Sequence, residues 1–205
     1  MKMTPRPAKR LVSALCVCAS VCCVAAAATN LVVNGDCENG GSVLPLAPAV
    51  GWSGAFVCCG NAAVCGAPLN TTNGTRVFFA GDCSGPSCVT RANLYVQEAW
   101  QDVDVSGVDP STQSLVLAVA ERSQCGFDAA HARFELRAGA GGAVLATTQT
   151  CSYRGGTWAR FVAVMVPPAG TLSVRVRLQT TASFGAVARG VHDGVSVSVC
   201  TTGER

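Results

Sequence analysis

The chain has 205 residues, 15 basic and 12 acidic, for a formal charge of +3, and nearly half of it is apolar. That length holds one domain with a core of its own. The basic excess is too small for a nucleic-acid surface, which needs clustered Lys and Arg.

It also sits at one end. Lys2, Arg6, Lys9 and Arg10 fall in residues 1–10, whereas residues 11–28 carry no charge and close on four alanines. This is the layout of a secretory signal peptide, with Ala26 and Ala28 at a small-residue cleavage site. Residues 1–28 are therefore expected to be a removable leader and residues 29–205 a single domain, secreted or on the extracellular surface. The rival reading is an uncleaved anchor, because the apolar run approaches the ~18 residues that can cross a bilayer. Its alanine-rich end favours cleavage, and no later stretch could span a membrane. Without the leader, eleven basic residues face twelve acidic ones, and the formal charge becomes −1.

Nine of the thirteen cysteines follow the leader. In an exported chain they predict a disulfide framework, each bridge contributing roughly 2–4 kcal/mol. An odd number leaves at least one unpaired or linked to another chain. Cys58 and Cys59 should reach different partners, because neighbouring Cα atoms lie about 3.8 Å apart and a relaxed bridge wants roughly 4.4–6.8 Å. No CxxC pair occurs, and the two histidines lie far from the cysteines, which argues against zinc.

In chain order, residues 31–33 read as a first strand entering the Asn34-Gly35 turn, and the carboxylates Asp36 and Glu38 follow at once. Residues 41–75 are irregular and polar, with sequons at Asn70 and Asn73 that predict glycosylation. Residues 76–80 read as a strand. Cys83 and Cys88 bracket a Gly-Pro turn and are expected to be bridged. From Leu94 onward apolar residues recur with period two. Val103 and Val105 alternate with Asp102 and Asp104, Leu115 to Val119 form one face of the next strand, and Phe134 and Leu136 alternate with Arg133, Glu135 and Arg137. Residues 139–142 supply a hairpin turn, with 144–150 as its second arm. Cys125 and Cys151 flank that hairpin and are expected to bridge across its base. Further apolar faces come at Phe161 to Met165, Leu172 to Leu178 and Val195 to Val199. Many short strands without a usable amphipathic helix predict an all-β, two-sheet sandwich.

The order of landmarks resembles a family. Asn30-Leu-Val-Val-Asn-Gly-Asp-Cys-Glu38, Gly51-Trp52, Gln101-Asp-Val-Asp-Val105, Phe134-Glu-Leu-Arg137, Thr157-Trp-Ala-Arg-Phe161, the 172–178 strand and Val191-His-Asp-Gly-Val-Ser-Val197 together resemble the galactose-binding-like jelly rolls. Among these are the carbohydrate-binding modules of xylanases and laminarinases. The resemblance runs from Asn30 to Val199 and implies antiparallel first and last strands, with Asp36 and Glu38 facing Asp193. It also implies a structural calcium ion held by Asp36, Glu38 and Asp193, since such oxygens suit that ion. The usual paired acids before the last strand stand here as Asp193-Gly194, and the competing reading is that Asp36 and Asn39 only cap a turn. Cys37 takes the place of a buried phenylalanine in the relatives, which makes it the expected free cysteine. Trp52 and Trp158 match core-packing positions.

For a ligand, the resemblance implies a glycan or polysaccharide. Tyr95, Trp100, Phe127, Tyr153 and Phe184 fall near strand ends or loops, where aromatic rings stack on sugars. Gln97, Glu98, Arg122 and Arg154 are the expected polar partners. Arg175 and Arg177 share one face, as do Arg133 and Arg137, and could grip acidic sugars or simply be solvated. The alternative is an adhesive surface protein that contacts another protein. Enzyme readings lack support: His192 and Asp193 are adjacent on a strand and point to opposite faces, and no nucleophile elbow or phosphate loop occurs. Glu98, Glu121 and Glu135 could in principle supply a glycosidase pair, but sequence does not place them together.

Overall fold

A computed structural model describes residues 29–39, 49–54, 57–60 (main chain), 72, 74, 76–79, 96–123, 128–182 and 190–201. The strands are β1 (Ser53–Gly54), β2 (Val57–Gly60), β3 (Arg76–Phe79), β4 (Val96–Asp104), β5 (Gln113–Ser123), β6 (Ala129–Arg137), β7 (Val144–Gln149), β8 (Ala159–Met165), β9 (Ser173–Thr181) and β10 (Gly190–Thr201). They form two five-stranded sheets, β1-β4-β9-β6-β7 and β2-β3-β10-β5-β8. All pairings are antiparallel. This is the all-β sandwich that the alternating sequence implies, and among the described residues no helix is long and apolar enough to cross a membrane.

The core lies between the sheets. Val103, Phe134, Leu136, Val174, Val176 and Leu178 from the first sheet meet Phe78, Leu115, Leu117, Val119, Val195 and Val197 from the second. Burying each contributes roughly 1.5–3 kcal/mol. Trp52 closes one side, its ring 4.8 Å from Phe78 and its Nε1 donating to the Val33 carbonyl at 3.1 Å. The hairpin turn forms where the glycines predict it, with Ala138 N donating to Ala143 O at 3.0 Å. After β7 the chain crosses between the sheets: Tyr153 pairs with Ala130 of β6, and Ser123 of β5 donates to Gly155 O at 2.9 Å.

Three expectations change. Residues 31–33 are not a strand; they run antiparallel beside β10 through single bonds, Leu31 N to Val197 O and Val195 N to Gly35 O, both 2.8 Å. The chain then turns at once, with Asn34 and Cys37 at φ +51° and +58°. Gly35 is required in that turn because an added Cβ would run into the Val195 carbonyl. Cys37 is not the free cysteine: it is fully buried and disulfide-bonded, and Cys200 is disulfide-bonded too. Cys151, expected to bridge Cys125, is free and exposed, because the crossing segment turns it outward. Cys83, Cys88 and Cys125 lie outside the described residues, as do Asn70 and Asn73.

One end of the interior is polar. Glu121 of β5 and His192 of β10 are cross-strand partners, both fully buried, with Glu121 Oε1 3.8 Å from His192 Nδ1. Thr150 Oγ1 donates to Glu121 at 2.8 Å, and His192 Nε2 lies 3.1 Å from the Gln179 carbonyl. Burial pushes the Glu121 carboxyl up to about 7, against the Thr150 hydrogen bond, and pushes His192 down to about 3. Neither group gains from charge inside the sandwich.

Candidate functional site

Period two puts Gln97, Ala99, Gln101 and Val103 of β4 inside and Glu98, Trp100 and Asp102 outside. Register aligns the outer residues with the neighbouring strands. Glu98 stands opposite Gln179, Trp100 opposite Arg177 and Asp102 opposite Arg175 on β9. On β6, Arg133 faces Arg177 and Glu135 faces Arg175. Trp100, Arg177, Arg133 and Gln149 thus make one row across β4, β9, β6 and β7. At about 4.8 Å per strand the row is roughly 14 Å long.

Its polar groups hold one another in place. Arg175 grips Asp102 with two bonds of 2.7 and 2.6 Å, and Glu98 accepts from both Arg177 and Gln179. Glu135 accepts from Arg137 Nη2 at 2.5 Å and forms ion pairs with Arg177 Nε at 3.1 Å and Arg133 Nε at 3.3 Å. The Arg175 bond holds the Asp102 carboxyl below its ordinary value. Burial pushes the Glu135 carboxyl up, but Arg137 and Arg177 outweigh it and hold it low. The face is therefore a fixed grid of planar, ionised hydrogen-bonding groups around one half-buried indole. Such a grid can bond hydroxyls while the ring covers an apolar sugar face.

The expected ligand residues do not all meet there. Glu98 and Trp100 do. Gln97 is a correction: it is 3% exposed and points into the sandwich, because it sits one step out of phase with them. Arg122 lies on β5 in the other sheet. Tyr153 and Arg154 lie on the crossing segment, the Tyr153 ring packed edge-on against Phe161 at 5.9 Å and Arg154 exposed. Tyr95, Phe127 and Phe184 fall outside the described residues. Gln179 was missed, although it continues the spacing of two from Arg175 and Arg177.

The acids of the expected calcium site have other work. Glu38 accepts the Arg76 N–H at 2.6 Å, Asp193 Oδ2 accepts Thr72 N and Oγ1 at 2.6 and 2.7 Å, and Asp193 Oδ1 accepts Gly194 N at 2.6 Å. Among the described residues Asp36 accepts from its own turn, at Glu38 N, 3.3 Å. Among the described residues no three His, Cys, Asp or Glu side chains group around a metal position. As arranged, the oxygens of Glu38 and Asp193 are turned to N–H and O–H donors and are not grouped with Asp36 around one point. Glu38 instead ties Arg76 to the turn at 34–39, and Asp193 ties Thr72 to β10.

With this geometry in place, known structures place the fold. No family model matches the chain, and no curated protein sequence matches it. A family 16 carbohydrate-binding module superposes with a TM-score of 0.51 at 17% identity, covering 82% of this chain and 99% of the module. The fold is that module's two-sheet jelly roll. A Stig cyclase from Fischerella sp. TAU, in complex with an indole derivative, gives 0.57 at 13% identity over 86% of this chain and 100% of the cyclase. The arabinose-bound α-L-arabinofuranosidase MgGH51 gives 0.53 at 13% identity, over 83% of this chain and 26% of that enzyme. At these identities the likeness is one of fold, and the same sandwich serves a binding module, a cyclase and part of a glycosidase.

Proposed function

We propose that the chain is an exported, non-catalytic domain that binds a glycan across the outer face of β4, β9 and β6. The observation that carries this reading is Trp100, half-buried beside Arg177 and flanked by Glu98, Gln179 and the Asp102–Arg175 pair. The likeness to a carbohydrate-binding module supports the ligand class. The electrostatics support a binding role over hydrolysis. A glycosidase pair needs one carboxyl that keeps its proton near neutral pH, whereas arginine holds Asp102 and Glu135 ionised. The acid that does keep a proton, Glu121, is sealed in the core. The bonded Cys37 and Cys200 support an oxidising compartment outside the cell. A glycan array probed with the refolded 29–205 domain tests the reading: binding to at least one glycan class is expected, and binding to none overturns it.

A protein-contact reading draws on one observation. Val162 and Val164 of edge strand β8, and Val166 just after it, are 59%, 38% and 62% exposed. An apolar stripe on an open sheet edge is a surface that a partner protein can cover. Replacing Val162 and Val164 by Asp should then abolish self-association or capture by the partner while leaving glycan binding intact.

A further inference from the structure

The opposite side of the sandwich carries a cleft of about 730 Å³ on the outer face of β10, β5 and β8. That size falls within the range of ligand sites. Its floor is open because the outward residues there are small, Ala120 of β5 and Ser196 of β10. The bulge between Asp193 and Ser196 widens it. Trp158 and Arg160 form one wall, and Asp36, Asn39 and Thr72 the other.

The second wall is rigid before any ligand arrives. Asn34 clamps Asn39 from both sides, accepting its N–H at 2.8 Å and donating to its carbonyl at 2.7 Å. Asn30 pins the turn to β10, donating to Val195 O at 3.0 Å and accepting Val197 N at 3.1 Å. Asp193 holds Thr72. Facing this wall, Trp158 is half-buried and Arg160 exposed. One guanidinium and the Asp36 carboxylate oppose each other, so the cleft has no excess charge to select an ionic ligand. An indole with a carboxylate, an amide and a guanidinium around it suits a neutral polyol.

We infer that this cleft is a second carbohydrate site, on the face opposite Trp100, so that one domain can hold two polysaccharide chains. The ligand class rests on the glycan-binding reading above; the existence of the site does not. Neutral soluble polysaccharides (laminarin, xylan, arabinan and galactan) are the probes, read by calorimetric stoichiometry and by clouding, since a two-faced binder cross-links long chains. The parent should bind two equivalents and cloud the solution. Trp158→Ala and Trp100→Ala should each leave one equivalent and remove the clouding. Arg160→Ala, at an exposed rim position that leaves packing intact, should weaken the second equivalent about tenfold. Unchanged stoichiometry and clouding in both Trp158→Ala and Arg160→Ala would overturn the second site. Loss of all binding in Trp100→Ala alone would also overturn it, with the Trp100 face standing. Loss of all binding in Trp158→Ala and Arg160→Ala, with Trp100→Ala unaffected, would retain the cleft and overturn the other face.

Discussion

Two of the cross-strand acid–base pairings in the sandwich contrast in the base they use and in the side of the sheet they occupy. Glu135 faces Arg175 on the outer side of its sheet and is ion-paired with Arg137 and Arg177, whereas Glu121 faces His192 in the interior. Outside, guanidiniums that never lose their charge keep the acid ionised. Inside, both partners are desolvated, and the cheapest state is neutral for each. A single step of strand alternation thus separates a rigid polar grid able to meet a ligand from a pair that only fills the core.

The largest break in this contrast should come from Glu135→Ala. It strands Arg137 and Arg177 without their shared carboxylate, and a loss of about 3 kcal/mol is expected in urea unfolding. Next comes the interior pair. Glu121 is raised to about 7, so its contribution to stability falls as pH rises from the unfolded carboxylate value near 4.5 toward 7. His192, lowered to about 3, has the opposite sign, and stability rises as pH climbs from about 3 to about 6.5. The two oppose each other between about 4.5 and 6.5, where the parent should be nearly level. Glu121→Gln should match the parent at pH 4 and exceed it by roughly 1–3 kcal/mol at pH 8. Denaturation curves at the two pH values check this.

Smaller effects belong to the anchoring acids. Asp193→Asn keeps an acceptor but removes the charge that Thr72 N–H and Oγ1 meet, and about 1–2 kcal/mol should be lost. If N–H and O–H donors alone hold these carboxylates, EDTA should leave the melting temperature of the parent unchanged; a fall on chelation, reversed by calcium, would show that an ion shares them.

Much of this was legible from residue order. Period two placed Leu115 to Val119, Val174 to Leu178 and Val195 to Val199 in the core, and residues 139–142 at the hairpin. The same period already separated Gln97 from Glu98 and Trp100, a distinction that naming all three together as ligand residues overlooked. What residue order could not supply was register across strands. Nothing local says that Trp100 meets Arg177, that Glu98 collects Gln179, or that Glu121 lands on His192, since each pair joins residues 70 or more positions apart. The cysteines failed for the same reason. Nearness to a hairpin suggested a bridge for Cys151, but the crossing of residues 150–155 between the sheets turns it outward, while the turn at Asn34 buries Cys37.

The central claim, that the outer face of β4, β9 and β6 binds glycan around Trp100, is tested most directly by calorimetry of Trp100→Ala against the parent on a polysaccharide that the parent binds. Loss of one binding equivalent, with the melting temperature held within a few degrees, is the predicted result. Full retention of the parent's affinity and stoichiometry would contradict it.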